Sequence, residues 1–316
     1  MTLKTILVTG GSGLVGSAIK NIYTDYQNKY QFYFISSQQY DLTNMHSAIE
    51  MFDKYKPHYV IHLAACVGGL FKNMNNKVEM LEKNLMINYN VVKCSHDYKV
   101  EKLIACLSTC IFPDKNISYP INETMLHDGA PHHSNDAYAY AKRMLEIQCT
   151  AYRNSYGDNF MCIIPTNIYG PNDNFNLNDG HVLPSLIHKC FISKQQNNDF
   201  VICGSGKPLR QFIFSFDLAK IIMILLEKNI NENIIVSVPE NNEVSIGDIG
   251  KIIATNFDIQ NKIIFDTSFS DGQYKKTVSI NKLQEIIGED FNFTSIDNGI
   301  KITIDWFIKN FPNLKK

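Results

Sequence analysis

The sequence predicts an α/β protein: a Rossmann-like, doubly wound parallel sheet with a smaller C-terminal lobe. Three observations predict it. Short apolar runs rich in Val, Ile, Phe and Tyr alternate with longer helical stretches through the first half. A glycine-rich turn follows the first of these runs. After Pro165 the rhythm breaks, and Asn, Asp, Gly and Pro crowd residues 169–180, which favours a loop that shapes a site.

Taken in order, residues 5–8, 31–35, 59–63, 102–107 and 160–164 read as strands. They lack strict polar alternation, as strands covered on both faces should. Helices are expected between them at 14–26, 45–55, 76–98 and 137–156, and repeated strand–helix units imply right-handed crossovers. Farther on, helices near 183–194, 217–227, 245–257 and 295–309 and a strand near Val201 are expected. Residues 227–235, rich in Asn, Lys and Ile, read as solvated surface.

Composition excludes several classes. The chain has 316 residues, 45% of them hydrophobic and 19% charged, as in ordinary globular proteins. A formal net charge of -1 argues against a nucleic-acid-binding surface. None of the eight cysteines forms a C-x-x-C pair, so neither a zinc knuckle nor a dithiol motif is suggested, and no metal is expected. The first apolar run leads into a glycine-rich turn instead of a cleavage site, and no stretch is long enough to span a membrane. The expectation is a cytoplasmic protein with reduced thiols.

The run at 5–8 enters Thr9-Gly10-Gly11-Ser12-Gly13-Leu14-Val15-Gly16, after which a helix opens. Glycines there permit a tight turn, let the backbone approach a pyrophosphate and let the helix pack close to the sheet. The helix N-terminus offers free N–H groups to the phosphates. Alone, such a motif is weak and could be an empty turn; its strand–turn–helix context favours a dinucleotide. Leu63, Ala64 and Ala65, small or apolar at the end of another strand, would let that ligand lie against the sheet edge. An NAD enzyme commonly carries an acid at the end of the second strand. Here that strand ends in Ser36 and Ser37, whose hydroxyls can donate to a 2′-phosphate, and Asp41 comes later, near the adenine. NADP is the cofactor this pattern favours.

Tyr138 and Lys142 stand four apart on one helix face, and Ser108 ends a strand at the same sheet edge. A nearby ammonium and a charged nicotinamide are expected to lower the phenol's pKa. The serine hydroxyl can hold a carbonyl oxygen as it gains charge. A solvated helix face is the alternative for the Tyr–Lys pair, which is common by chance among 16 tyrosines.

These residues, with Pro165-Thr166-Asn167-Ile168-Tyr169-Gly170-Pro171, resemble the extended short-chain dehydrogenase/reductases. More narrowly, Val67-Gly68-Gly69-Leu70, Leu107-Ser108-Thr109-Cys110-Ile111-Phe112-Pro113, Asp179-Gly180-His181-Val182-Leu183-Pro184, Arg210-Gln211-Phe212 and Ser270-Asp271-Gly272-Gln273 are similar to the GDP-L-fucose synthase family. The resemblance runs nearly end to end. It implies an NADPH-dependent epimerase-reductase acting on a GDP-linked 4-keto-6-deoxy sugar, which inverts C3 and C5 and then reduces C4. Ser108, Cys110, Tyr138, Lys142 and His181 would be catalytic, with Cys110 and His181 exchanging protons on opposite faces of the sugar. The cofactor would be held by Gly10 to Gly16, Ser36, Ser37, Asp41, Leu63 to Ala65, Tyr138, Lys142, Pro165 to Ile168 and His181. Ser108, Lys189, Cys203, Arg210 and Asp271 would meet the substrate.

The blander alternatives are a buried small hydrophobe at Cys110, a helix-capping loop histidine at His181, and plain surface charge at Lys189, Arg210 and Asp271. The chain departs from the family pattern at Ser12, where some members have arginine, and at Cys203, where tryptophan is usual. Residues 1–165 are expected to form the NADP-binding domain and 166–316 mainly a substrate-binding lobe, with about 212–240 returning to the first domain. The resemblance also implies a homodimer packed through the helices near 76–98 and 137–156. A related nucleotide-sugar epimerase or dehydratase, or a non-catalytic NADP sensor, are the competing readings; the missing acid argues against the former, the Tyr–Lys pair against the latter.

Overall fold

A computed structural model describes residues 3–115, 118–269, 271 and 273–311. Four strand–helix steps open the chain, and a fifth strand follows them. Strand β1 (Lys4–Thr9) leads to helix α1 (Leu14–Ile22), β2 (Tyr30–Ile35) to α2 (Met45–Tyr55), and β3 (Tyr59–His62) to α3 (Leu70–Asn75) and α4 (Lys77–Asp97). Then β4 (Lys102–Cys106) leads to α5 (Asp136–Tyr156), and β5 (Phe160–Pro165) to the short β6 (Asn167–Tyr169). The later part runs α6 (Val182–Gln196), β7 (Phe200–Cys203), β8 (Leu209–Arg210), β9 (Phe212–Phe214), α7 (Ser215–Glu227) and β10 (Asn233–Val236). It finishes with β11 (Val244–Ser245), α8 (Ile246–Asn256), β12 (Ile263–Asp266), α9 (Asn281–Ile287) and α10 (Ile296–Asn310).

Six strands form one parallel sheet in the order β10-β5-β4-β3-β1-β2. Every strand of the sheet after β1 is preceded by a helix that must cross a face of the sheet, so both faces are covered: α1 packs against α7, and α4 packs against α2 and α5. Double coverage explains the unbroken apolar runs, since every residue of β5 is buried. The chain leaves β1 toward β2 on one side and returns to β3 on the other. That reversal opens a crevice at the carboxyl ends of β1 and β3, where open α/β sheets bind ligands.

Local chemistry sets the helix ends. Asn44 caps α2, its side-chain oxygen accepting from His46 N at 2.8 Å and Ser47 N at 3.4 Å. Gly157 ends α5 with a φ of 73°, a conformation that favours glycine. The first helix is shorter than its sequence suggests: it stops at Ile22 and tightens into a 3-10 turn over Tyr23–Tyr26.

One expectation is overturned. Within the supposedly solvated residues 227–235 lies the start of β10, where Ile234 and Ile235 are fully buried. Pairing with β5 through Ile234↔Ile163 and Ile235↔Ile164 puts them in the main core, and the flanking Asn and Lys residues hide that short apolar run in the sequence. A second apolar cluster, built on Phe200, Ile202, Ile253, Ile304 and Phe307, lies between α6, α8, α10 and β7. Among the described residues, no helix is long and apolar enough to cross a membrane.

Candidate active site

A cavity of about 600 Å³ opens at the carboxyl ends of β1 and β3. The expected cofactor residues Gly10, Ser12 to Gly16, Ser36, Ser37, Asp41, Leu63 to Ala65, Pro165 to Ile168 and His181 line it, together with Ser108, Tyr138 and Lys142. Gly11 lies behind this surface, its N–H donating to Ile35 O at 2.8 Å.

The turn fits a pyrophosphate. Gly10 has a φ of +69°, and a Cβ there would come within 2.8 Å of Ala64 N. A Cβ on Gly16 would come within 2.6 Å of Gly10 O, so the helix could not sit this close to the turn. Helix α1 starts at Gly13 with no side-chain cap and no acid in its first turn, leaving its N–H groups for an anion. At the end of β2, Ser36 is tied to Gln39, whose side-chain oxygen accepts from its N at 2.9 Å and its hydroxyl at 3.3 Å. Asp41 accepts from Thr43 N and Oγ1, which holds its carboxyl below its ordinary pKa.

Helix α5 brings Tyr138 and Lys142 to the cavity opposite Ser108. The expected lowering of the Tyr138 pKa is reversed in the protein's own field: burial, then the Cys110, Cys106 and Cys66 thiols, push it well above the ordinary value. The Lys142 ammonium donates to Cys106 O at 2.7 Å and lies 5.8 Å from the Tyr138 ring centre. Burial holds Lys142 below its usual pKa. Cys110 sits behind the cavity wall at 8% exposure, in a 3-10 turn whose cap is Ser108, the serine Oγ accepting from Cys110 N at 3.4 Å. Burial pushes the thiol up; Lys276, the Ser108 hydrogen bond and Lys142 pull it back.

His181 stands exposed at the cavity mouth, at the N-cap of α6 but without a side-chain cap bond. It therefore does not play the bland capping role. The remaining expected substrate residues gather away from the cavity. Lys189 Nζ lies 3.6 Å from Cys203 Sγ. Two residues on, Ser205 donates to Asp271 through its N at 2.6 Å and its hydroxyl at 2.7 Å. Arg210 donates to Leu209 O at 2.7 Å and Gln273 O at 2.6 Å, fastening β8 to the segment after β12. The Ser270 and Gly272 positions of the family motif lie outside the described residues.

Two features escaped the sequence reading. Asp173, in the Asn-rich loop 169–180, lines the cavity with one carboxyl oxygen enclosed and unpartnered, and burial raises its pKa to about 7. Beneath the cavity, His62 bonds Thr9 Oγ1 at 2.8 Å and Asn88 Oδ1 at 3.1 Å. Burial and the Lys142 charge push that imidazole down to about 3, so it stays neutral. The crowding of Asn and Asp was the available signal for Asp173. Nothing local signals that His62 faces inward.

A glycine-turn cavity at a sheet switch point, with Tyr, Lys and Ser converging on it, defines a nucleotide-dependent oxidoreductase or epimerase. Residues 6–238 match the NAD dependent epimerase/dehydratase family, and the chain belongs to it. It is 50% identical to the GDP-L-fucose synthase of Dictyostelium discoideum over 99% of this chain and 98% of that one. It is 43% identical to the probable GDP-L-fucose synthase of Drosophila melanogaster over 99% and 100%. The crystal structure of a GDP-L-fucose synthetase from Naegleria fowleri bound to NADP superposes with a TM-score of 0.94 at 46% identity, covering 100% of this chain and 96% of that one.

Proposed function

We infer that the chain is an NADP-dependent epimerase-reductase that converts GDP-4-keto-6-deoxy-D-mannose to GDP-L-fucose. The observation that carries this is the convergence of Ser108, Tyr138 and Lys142 on the glycine-turn cavity, in a chain half identical to a GDP-L-fucose synthase over nearly its whole length. The cofactor is NADP, held by the N–H groups of the 10–16 turn and, at the ribose phosphate, by Ser36 and Ser37. When bound as NADPH it supplies the hydride for C4.

The chain's own residues do the rest. Ser108 donates its hydroxyl to the C4 oxygen, which draws charge onto that oxygen and acidifies the protons at C3 and C5. Cys110 and His181 exchange those protons, from two separate loops. Tyr138, whose raised pKa keeps it protonated, then gives its proton to the C4 oxygen as the alcohol forms. Lys142, anchored by its hydrogen bond to Cys106 O, would orient the cofactor in the cavity it lines. Lys189 and Arg210 face the pyrophosphate, and the Asp271–Ser205 contact shapes the loop after Cys203.

The assembly is a homodimer in this reading, supported by Met86 and Tyr89 on α4 and Tyr140, Met144 and Ile147 on α5, all of them exposed. A cytoplasmic setting fits eight cysteines held as free thiols. The test is product analysis: with the keto-sugar and NADPH, the expected product is GDP-L-fucose. A product reduced at C4 with C3 and C5 unchanged would refute the epimerase half.

A further inference from the structure

Arg143 follows Lys142 on α5 and is 7% exposed. Its Nε donates to Ile111 O at 2.7 Å, the carbonyl next to Cys110 in the 3-10 turn. Its Nη2 is enclosed without a hydrogen-bond partner. Among the described residues no carboxylate pairs with it. The other support is the Tyr140 ring, whose centre lies 5.7 Å from Cζ. A buried guanidinium with no counter-ion is costly, and native chains keep such groups where another demand offsets the cost.

Cys110 supplies that demand. It must lose a proton to act on a C–H bond, yet burial favours its neutral thiol. The turn is braced from two sides, by Ser108 at Cys110 N and by Arg143 at Ile111 O. One helix therefore presents Tyr138 and Lys142 to the reducing centre and Arg143 to the turn that bears the thiol. We propose that Arg143 is the positioning residue of Cys110: its Nε fixes the turn, and its unpaired charge favours a thiolate at position 110. The proposal rests on the reading of Cys110 as a proton-transfer group. Arg143 and Cys110 are electrostatically coupled; the other charged or titratable groups that act on the thiol are Lys276 from the segment after β12 and Lys142 and Tyr138 from α5, with Arg210 and Asp114 acting in turn on Lys276.

The test titrates full-length protein carrying carbon-13-labelled cysteine and saturated with NADP+, with the Cys110 resonance assigned by its loss in Cys110→Ser. Arg143→Gln should raise the Cys110 midpoint by about one pH unit or more, and deuterium uptake into the keto-sugar should slow roughly tenfold and recover at higher pH. Arg143→Lys keeps the charge and should restore most of the midpoint. A midpoint unmoved in Arg143→Gln, or moved as far in Arg143→Lys, overturns the proposal. A reading that needs no variant at Arg143 guards against misfolding: the Arg143 guanidinium nitrogen resonance should shift at the Cys110 midpoint in the native protein, and its failure to do so overturns the proposal. Undiminished deuterium uptake in Cys110→Ser refutes Cys110 as the base, a failure separate from the thiol titration that judges Arg143.

Discussion

Burial favours the neutral phenol of Tyr138, and in the proposed reaction that sets its direction: it would give a proton as the C4 oxygen becomes an alcohol. Tyr138→Phe keeps the ring and removes the hydroxyl, so NADPH binding should survive while turnover falls roughly 10²–10⁴-fold. Cofactor fluorescence titration and single-turnover kinetics check both halves. Asp173 gives a stability prediction. Its folded pKa is about 7, whereas a free aspartate lies near 3.9, so the folded chain holds a proton that the unfolded chain has released between these values. Stability then falls as pH rises through that window. Asp173→Asn, which cannot ionise, should gain up to about 3–4 kcal/mol over the native chain by pH 8, shrinking toward pH 4. Urea unfolding of the cofactor-free protein at the two pH values is the measurement, and an equal gain at both would contradict the assignment.

At the scale of elements, long periodic segments were legible and short ones were not. Helix α2 has its predicted bounds because Asn44 and an amphipathic repeat mark it in eleven residues of sequence. Strands β6, β8, β9 and β11 have two or three residues each, too few for any alternation to show. The site divides in the same way. The glycine turn, Ser108, Tyr138 and Lys142 obey spacings fixed by one strand end or one helix face. His62 and Arg143 acquire their roles through partners distant in the chain, and Asp173 through burial in the folded loop. Lys102 belongs with these: at the start of β4 it is 2% exposed, and its ammonium donates to Leu225 O at 2.7 Å and Lys228 O at 2.5 Å, at the C-terminus of α7. Burial brings its pKa down to about 8. Lys102→Met should leave those carbonyls short of a donor and cost about 2–3 kcal/mol. The expected observation is a lower urea midpoint with an unchanged slope.

For the whole molecule, the exposed apolar residues of α4 and α5 make the prediction. Tyr140, Met144 and Ile147 recur at helical spacing on the side of α5 opposite the cavity-facing Tyr138 and Lys142. Met144→Glu together with Ile147→Lys should turn a dimer into a monomer by light scattering. A particle of unchanged mass would place the interface elsewhere.

The position of β10 has a further consequence, for biosynthesis. The strand that completes the main sheet enters it last, about seventy residues after its neighbour β5. While the ribosome makes the intervening segment, β5 presents an open hydrogen-bonding edge. The Lys102 ammonium, likewise, waits for the end of α7. A nascent chain paused between residues 165 and 233 would thus be unprotected along this fully apolar strand, the edge at which polysome neighbours would cross-pair.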